Sequence, residues 1–302
     1  MLDGLLEYGE RDKGPDTAIL TVTMLILMVL LIAETGSLEK TQAQEQVATS
    51  EIVPDVFLGS FRILCSIVVF ITLSWIVLDK KGNGDFPLSF KRRKKVSRKV
   101  VGPTRLAAFT MCHFALIGVS FGVSGAASLI HMAGETVPDW ILVASPILFS
   151  ASYSCAILVT FVVTFRLIPD NLKKGFPVKN FFSWYEILMH NGNIVMLGIS
   201  LFLNGMDVYW YYFAYPVIFG IAYVAWAAVY ANFISGVFIY DFLDYRIRGA
   251  PLIHVGLLVI IGLSFTVVFA LDRLIEWSFF PAALLTLAMT WGISTVREPV
   301  HG

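Results

Sequence analysis

The chain has 302 residues, of which 57% are hydrophobic and 15% are charged, and its mean hydropathy is +0.75. A soluble protein of this composition would need an unusually large buried core, so the composition excludes the ordinary soluble globular class. The formal net charge is zero, although the positive and negative charges are unevenly distributed along the chain. We therefore predict an all-α fold, a polytopic transmembrane helical bundle.

Apolar segments recur along the whole chain, each near the ~20 residues that cross ~30 Å of hydrocarbon. They lie at 17–33, 56–78, 106–132, 140–165, 184–205, 211–235, 252–271 and 278–296. These segments predict one transmembrane domain over 17–296, with an N-terminal segment 1–16 before it and a tail 297–302 after it. The last segment is short and contains Pro281, so the sequence predicts seven or eight spans, the eighth being either a crossing or a re-entrant or interfacial helix.

Positive charge is concentrated in the loops that alternation places on one side of the membrane. The basic loop, residues 79–105, shares that side with the lysines of 173–179 and the arginines of 246–248. The positive-inside rule predicts that this side, together with the N-terminus, is cytosolic. Endoplasmic reticulum and plasma membrane both fit this integral, multi-pass localisation.

The basic loop is interpreted first as a topology anchor, and its run at 91–98 is compatible with binding to anionic lipid headgroups. Gly82, Gly84 and Pro87 predict that the first half of the loop is irregular. A nucleic-acid partner would require a folded basic face, which the sequence does not indicate. Membrane lipids are therefore the partners that we expect.

Polar residues near the start of three apolar segments are predicted to share one depth. Thr110 and His113 open the third segment, His190 with Asn191 and Asn193 opens the fifth, and His254 opens the seventh. Polar groups inside hydrocarbon are costly without partners, and ionisable ones indicate function by default. The alternative for each is a hydrogen bond that joins neighbouring helices.

A metal or haem site is a weaker alternative for His113, His190 and His254, because imidazole is a common ligand of both. The chain contains no HxxxH or HExxH pair, the tighter spacing that is typical of zinc sites. We therefore predict neither a bound metal nor another cofactor.

Arg62 lies within the second segment, about one third of the way from the outer face. A guanidinium at mid-bilayer costs ~2.5 to 3.5 kcal/mol on insertion scales, so the side chain is predicted either to extend outward or to pair inside the bundle. Asp244 follows the sixth segment, in a turn that the sequence interprets as polar and interfacial.

A family resemblance rests on the order and spacing of several short motifs between residues 56 and 271. They are Arg62, Phe109-Thr110, Ile157-Leu158-Val159-Thr160, His190-Asn191-Gly192-Asn193, Pro216 with Phe219-Gly220 and Tyr223, and Ile239-Tyr240 with Leu243-Asp244-Tyr245. In this order they resemble the rolling-stone family of multi-pass membrane proteins. More distantly, the chain resembles the androgen-induced and androgen-dependent TFPI-regulating membrane proteins.

The resemblance implies two hypotheses from different classes. Rolling-stone relatives are linked to myoblast fusion in insects and have no assigned chemistry, which implies a non-enzymatic membrane protein whose polar layer joins its helices. The androgen-induced relatives are similar to intramembrane hydrolases of fatty acyl esters, and this implies a threonine nucleophile at Thr110 and a histidine base at His190. Asn193 or Asn191 would then orient the imidazole or stabilise the oxyanion.

Overall fold

The computed structural model describes residues 3–297 as a bundle of long helices. In chain order the helices are α1 (Gly14–Thr35), α2 (Gln44–Ala48), α3 (Asp55–Leu78), α4 (Phe109–Met132), α5 (Asp139–Lys173), α6 (Trp184–Leu203), α7 (Trp210–Ile234), α8 (Ala250–Trp277) and α9 (Phe279–Ile293). Among the described residues, every helix except α2 and α9 is long and apolar enough to cross a membrane. The predicted all-α polytopic fold is therefore confirmed, while residues 298–302 of the predicted tail, and residues 1–2, lie outside the description.

The helix bounds differ from the predicted spans mainly where a helix continues beyond its apolar stretch. α5 was expected to end at 165 but runs to Lys173, through a π-helical turn at Val163–Leu167. The added turns carry Arg166 and Asp170, whose side chains form an ion pair of 2.7 Å at i, i+4. Because these two residues are charged, the hydropathy pattern predicts an end at 165, whereas the helical backbone continues to Lys173.

α9 returns from the end of α8 and packs against α5, α6 and α8. Its 15 residues correspond to about 22 Å of helix. Beyond it, the Asn191 amide forms two hydrogen bonds of 3.0 Å with the backbone of Thr295. The chain after α9 is thereby held at the level of the early turns of α6.

The loops that carry most of the positive charge lie at one end of the bundle, which we call the basic face. Here the basic loop is folded: β1 (Asn83–Asp85) pairs with β3 (Arg98–Val100), and β2 (Leu88–Ser89) pairs with β4 (Val237–Phe238) in the loop after α7. The prediction of an irregular first half is wrong for β1, because Arg98 holds Asp85 in a two-pronged ion pair at 2.9–3.1 Å. The loop forms a cap over the helix ends.

The N-terminal segment also binds to the basic face. The backbone N–H groups of Arg248 and Gly249 donate to the carbonyls of Glu7 and Leu5. The Tyr8 hydroxyl donates to Asp244 at 2.7 Å, and Arg246 pairs with the same carboxylate at 2.6 Å. Asp244 therefore joins the N-terminal segment to the loop between α7 and α8, and its side chain is fully buried.

At the opposite face, the short helix α2 closes the end of the bundle. Gln42 binds both the backbone N–H and the carbonyl of Asp207, and Gln44 accepts from the backbone N–H of Val137. Val47 and Ala48 at the end of α2 are fully buried. The amide side chains thus tie this loop to two other loops of the same face.

Arg62 faces the bundle interior and is fully buried. Its Nη1 donates to the carbonyls of Val47 and Ser124 and to the hydroxyl of Ser128, at 2.7, 3.1 and 2.8 Å. The side chain does not extend outward: its partners are carbonyl and hydroxyl oxygens inside the bundle, and among the described residues it forms no ion pair. The guanidinium instead stabilises the carbonyl end of α2, where the helix dipole is negative.

Small residues let α3 and α4 approach closely. A Cβ on Gly118 would lie 2.8 Å from a side-chain carbon of Val69, and one on Gly125 would lie 2.7 Å from Ile63. Small residues at such contacts are the usual basis of packing between membrane helices. α5 lies behind this pair and contacts α4, α6, α7 and α8, which makes it the most buried of the long helices.

Candidate active site

A polar cavity of about 280 Å³ lies inside the basic face, between the β-structured cap and the ends of α4, α5 and α6. Its wall includes Thr110 of α4, Glu186 and His190 of α6, and Tyr240 from the loop after α7. The structure thus brings the two residues expected as nucleophile and base to one cavity. Among the described residues, no hydrogen bond joins Thr110 to His190.

An apolar pocket of about 70 Å³ adjoins the polar cavity and shares Thr110 and Tyr240 with it. It lies between α5, α7 and α8, and its wall is formed by side chains such as Leu158, Val162 and Leu258. The apolar pocket and the polar cavity thus form two compartments that meet at Thr110. An amphiphile is the ligand class that such a pair of compartments fits.

Thr110 occupies the first turn of α4, where the backbone N–H groups have no partner within the helix. The residue before the helix, Ala108, has no side chain that caps them. Helix α4 begins here because the extended backbone of Ala108, at ψ 148°, follows a 3-10 turn over Gly102–Ala107. The Thr110 side chain is therefore presented to the cavity beside a positive helix terminus.

His190 is carried by a π-helical turn, Leu188–Gly192, inside α6. The widened turn frees the His190 carbonyl from the helix, and the Thr160 hydroxyl of α5 donates to it at 2.6 Å. Such turns are rare and occur often at functional sites. The hydrogen bond from Thr160 fixes the backbone that positions the imidazole, while the ring remains at the cavity wall.

Asn193 and Asn191 have structural partners of their own. Asn193 is fully buried, and its Oδ1 accepts from the Ile194 N–H at 2.6 Å and from the Thr160 hydroxyl at 3.3 Å. Asn191 holds Thr295, as described above. Neither lines the polar cavity, so Asn193 supports the turn that carries His190 and contacts neither its imidazole nor the cavity.

Glu186 is a member of the site that the sequence analysis did not single out. Its Oε2 lies 3.5 Å from His190 Nδ1, at the i, i+4 spacing, and both side chains are nearly buried. The available signal was the E-x-x-x-H pattern, which places an acid and an imidazole on one helix face. The sequence prediction instead used the i, i+3 pair of His190 and Asn193, which lies toward the C-terminal end of the helix from His190.

The two remaining histidines of the predicted polar layer bond to backbone carbonyls, His113 across to α5 and His254 within α8. His113 is fully buried and its Nε2 donates to the Ser152 carbonyl of α5 at 2.9 Å. His254 Nδ1 lies 2.7 Å from the carbonyl of Ala250 in its own helix. Within residues 3–297, no group of three or more His, Cys, Asp or Glu is arranged to hold a metal ion, so the alternative of His113, His190 and His254 as joint ligands has no geometric support.

The charged side chains around the cavity form a neutralised wall. Arg98 pairs with Asp85, Lys95 with Asp241, and Arg166 with Asp170, at 2.7–3.0 Å. Arg105 donates to Asp79 at 3.1 Å and to the Tyr185 hydroxyl at 3.3 Å. These pairs join the cap to the helices and leave the cavity polar without a large excess of either charge.

Tyr240 supplies a neutral hydroxyl at the junction of the two compartments. Burial raises the pKa of Tyr240 to about 12, and the side chain and backbone of Thr110 oppose the increase. The phenol therefore stays protonated at neutral pH and is available as a hydrogen-bond donor. It lies in the Ile239-Tyr240 motif on which the family resemblance partly rests.

No protein-family profile, curated protein or solved structure matches this chain.

Proposed function

We propose that the protein is an intramembrane hydrolase of lipid acyl esters, with Thr110 as nucleophile and His190 as general base. The observation that carries the proposal is that both residues line one polar cavity, which adjoins an apolar pocket at Thr110. The resemblance to the androgen-induced membrane proteins points to the same two residues.

The chemistry follows from the groups at the cavity wall. His190 accepts the Thr110 proton while the hydroxyl oxygen forms a bond to the ester carbonyl carbon, because a threonine hydroxyl is a weak nucleophile without a base. The ester C–O bond then breaks, and the leaving alcohol takes the proton from His190. Water, deprotonated by His190, attacks the acyl carbon of the acyl-threonine. The bond between the Thr110 oxygen and the acyl carbon breaks, the fatty acid leaves, and His190 returns the proton to the Thr110 oxygen.

The donor available to the developing oxyanion is the hydroxyl of Tyr240. The backbone N–H groups of Met111 and Cys112 already donate to the Ala108 carbonyl, and those of Phe109 and Thr110 face the hydroxyls of Tyr223 and Tyr240. A preorganised donor in an oxyanion hole is typically worth ~2.7 to 4 kcal/mol of transition-state stabilisation. The acyl chain would occupy the apolar pocket between α5, α7 and α8, and the alcohol part would face the polar cavity.

Labelling of the purified protein with a fluorophosphonate probe tests this proposal. The wild type should be labelled, and Thr110→Ala and His190→Gln should lose labelling while they retain the wild-type melting temperature. Thr110→Ser should remain labelled, since it keeps the hydroxyl. Thr72→Ala is the matched control, because Thr72 is a buried helical threonine whose hydroxyl bonds only to the Val68 carbonyl of its own helix.

Absence of labelling in the folded wild type would overturn the proposal and favour the non-enzymatic hypothesis. His113 and His254, which bond to backbone carbonyls, show what such a structural role looks like in this chain.

We also propose that the basic face is cytosolic and that its exposed turn binds anionic lipid headgroups. Lys91, Arg92 and Lys94 are exposed, and within the described residues none of them forms an ion pair. Lys95, by contrast, pairs with Asp241 at 3.0 Å. The three free cations form a compact patch of positive charge next to the helix ends.

A further inference from the structure

We infer that Glu186 positions His190 for the proposed reaction, so that the site is a Thr110–His190–Glu186 triad. The inference rests on the proposed hydrolase function and adds a residue that no part of the sequence analysis assigned. Glu186 does not touch the reacting bond and acts through the imidazole.

The pairing of the other acids singles Glu186 out. Of the four carboxylates that line the polar cavity, those of Asp85, Asp170 and Asp241 are held by arginine or lysine. Within the described residues, the only ion-pair contact of Glu186 is with His190. A buried carboxylate is costly without a cation or donor. The Arg105 guanidinium acts on Glu186 by longer-range attraction, and the imidazole of His190 is the group in ion-pair contact with it among the described residues.

The surroundings of the His190 ring also support a contact with Glu186. Nδ1 of His190 is buried and has no hydrogen-bond partner, and Glu186 Oε2 is the carboxylate oxygen at 3.5 Å from it. This distance is longer than a hydrogen bond, and catalytic hydrogen bonds are often long before substrate binds. An Nδ1–H directed at Glu186 leaves the lone pair on Nε2, the tautomer that can accept a proton.

Glu186 and His190 share one face of α6 through their i, i+4 spacing, where the helix makes a π-helical turn. It lies over Leu188–Gly192, between Glu186 and the rest of α6, and Thr160 fixes the freed carbonyl at His190. The position of the imidazole is therefore set by two contacts, the hydrogen bond from Thr160 to the His190 carbonyl and the approach of the Glu186 carboxylate to Nδ1. Thr110 approaches the cavity from α4, on a separate element.

Other titratable groups face the same cavity and belong in any account of its pH dependence. They are Asp85, Lys95 and Arg98 of the cap, Arg105 before α4, Arg166, Asp170 and Lys174 at the end of α5, and Tyr240 and Asp241 after α7. Apart from Tyr240 these groups have ion-pair partners, as described above for all but Lys174, which lies 3.8 Å from Asp170. Glu186 is the carboxylate that remains for His190.

The test is the rate of fluorophosphonate labelling of the full-length protein in detergent, measured as a function of pH. Glu186→Gln should slow labelling about tenfold or more, because the loss of an orienting carboxylate weakens general-base catalysis. In this variant the fall of the labelling rate on the acid side of the pH profile should also move to lower pH, since the carboxylate no longer favours the protonated imidazole of His190. Glu186→Asp, which keeps the charge, should lie between Glu186→Gln and the wild type in both respects.

Glu276→Gln is the matched control, because the same substitution is made at the opposite face, where Glu276 pairs with Arg273. It should leave both the rate and the pH profile unchanged. Wild-type labelling together with an unchanged rate and profile in folded Glu186→Gln would overturn the positioning role and leave Thr110 and His190 in place. A folded wild type without labelling would overturn the proposed function itself, and the triad with it.

Discussion

At the scale of single residues, the sequence predicts Thr110 and His190 as members of the site but does not predict Glu186. Thr110 and His190 stand out because a polar group in an apolar segment needs an explanation. Glu186 sits only two residues after Trp184, where the helix begins, and a sequence reading takes such an acid for an interfacial residue. Its burial follows from the cap of the basic loop, whose folding the local sequence does not reveal.

The same limit explains the polar layer. His113, His190 and His254 were expected at one depth, but depth alone does not say which way each imidazole faces. His113 faces α5 and His254 faces its own helix, whereas His190 faces the cavity. Rotation about a helix axis is decided by packing, which the apolar pattern of a fully buried segment leaves open.

The first prediction at this scale concerns the apolar pocket. Gly220 lines the pocket, and a Cβ there would lie 2.5 Å from Ile261 Cδ1 and 3.1 Å from Leu258 Cδ2. Gly220→Leu should therefore fill the pocket and reduce hydrolysis of long acyl esters. Fluorophosphonate labelling with a small alkyl probe should remain within about twofold of wild type, because only the apolar compartment is lost.

The measurement is a comparison of p-nitrophenyl ester turnover at short and long acyl chain lengths. An equal loss at every chain length would show that the substitution damages the catalytic groups instead of the acyl site. Unchanged turnover of long esters would exclude the pocket as the acyl-binding compartment.

At the scale of helices and loops, the sequence predicted the long elements and missed the short ones. A membrane span must satisfy its own backbone hydrogen bonds and match a fixed thickness, so hydropathy locates it well. The cap at the basic face consists of strands of two or three residues, and long-range pairs such as Arg98 with Asp85 hold it. Glycine and proline in that loop mark its turns and do not make it disordered.

The contact between α3 and α4 gives a prediction for stability. Gly118→Leu should lower the free energy of unfolding by about 1–3 kcal/mol, because a side chain there meets Val69 and Phe70 and overpacking has that typical cost. Thermal melting in detergent measures the change. Gly256→Leu on α8 is the control, since nothing lies within 4 Å of a Cβ at Gly256, and a comparable loss of stability there would contradict the packing explanation.

The exposed basic turn gives a second prediction at this scale. Replacement of Lys91, Arg92 and Lys94 by Gln should weaken stabilisation by phosphatidylserine by up to about 1 kcal/mol per residue. The readout is the shift of the melting temperature on adding phosphatidylserine compared with phosphatidylcholine. If the triple variant keeps the full selective shift, the turn does not bind the headgroups.

At the scale of the whole molecule, the structure is a bundle closed differently at its two ends. The Gln42–Ala48 region closes one end with buried amide hydrogen bonds, whereas the basic face contains the cavity and its folded cap. The asymmetry of charge that the sequence reveals is thus also an asymmetry of construction. The fold class was predictable from composition, but the position of the cavity depends on contacts between distant loops.

The path of α9 gives a prediction about topology. Because Asn191 holds Thr295 near the early turns of α6, both chain ends should lie on the same side of the membrane. Epitope tags at the two termini should become accessible to antibodies together, only after the cytosolic side is exposed by selective permeabilisation. Tags that become accessible from opposite sides would contradict this placement of the chain after α9.

The central claim is that the Thr110 hydroxyl attacks the acyl group. The most direct measurement is mass spectrometry of the fluorophosphonate-treated wild-type protein after proteolysis, which locates the phosphonate on a single side chain. We predict the adduct on Thr110, in the peptide that opens α4, with none in the His190→Gln variant. An adduct at another serine, threonine or tyrosine, or adducts spread over several residues, would contradict the claim.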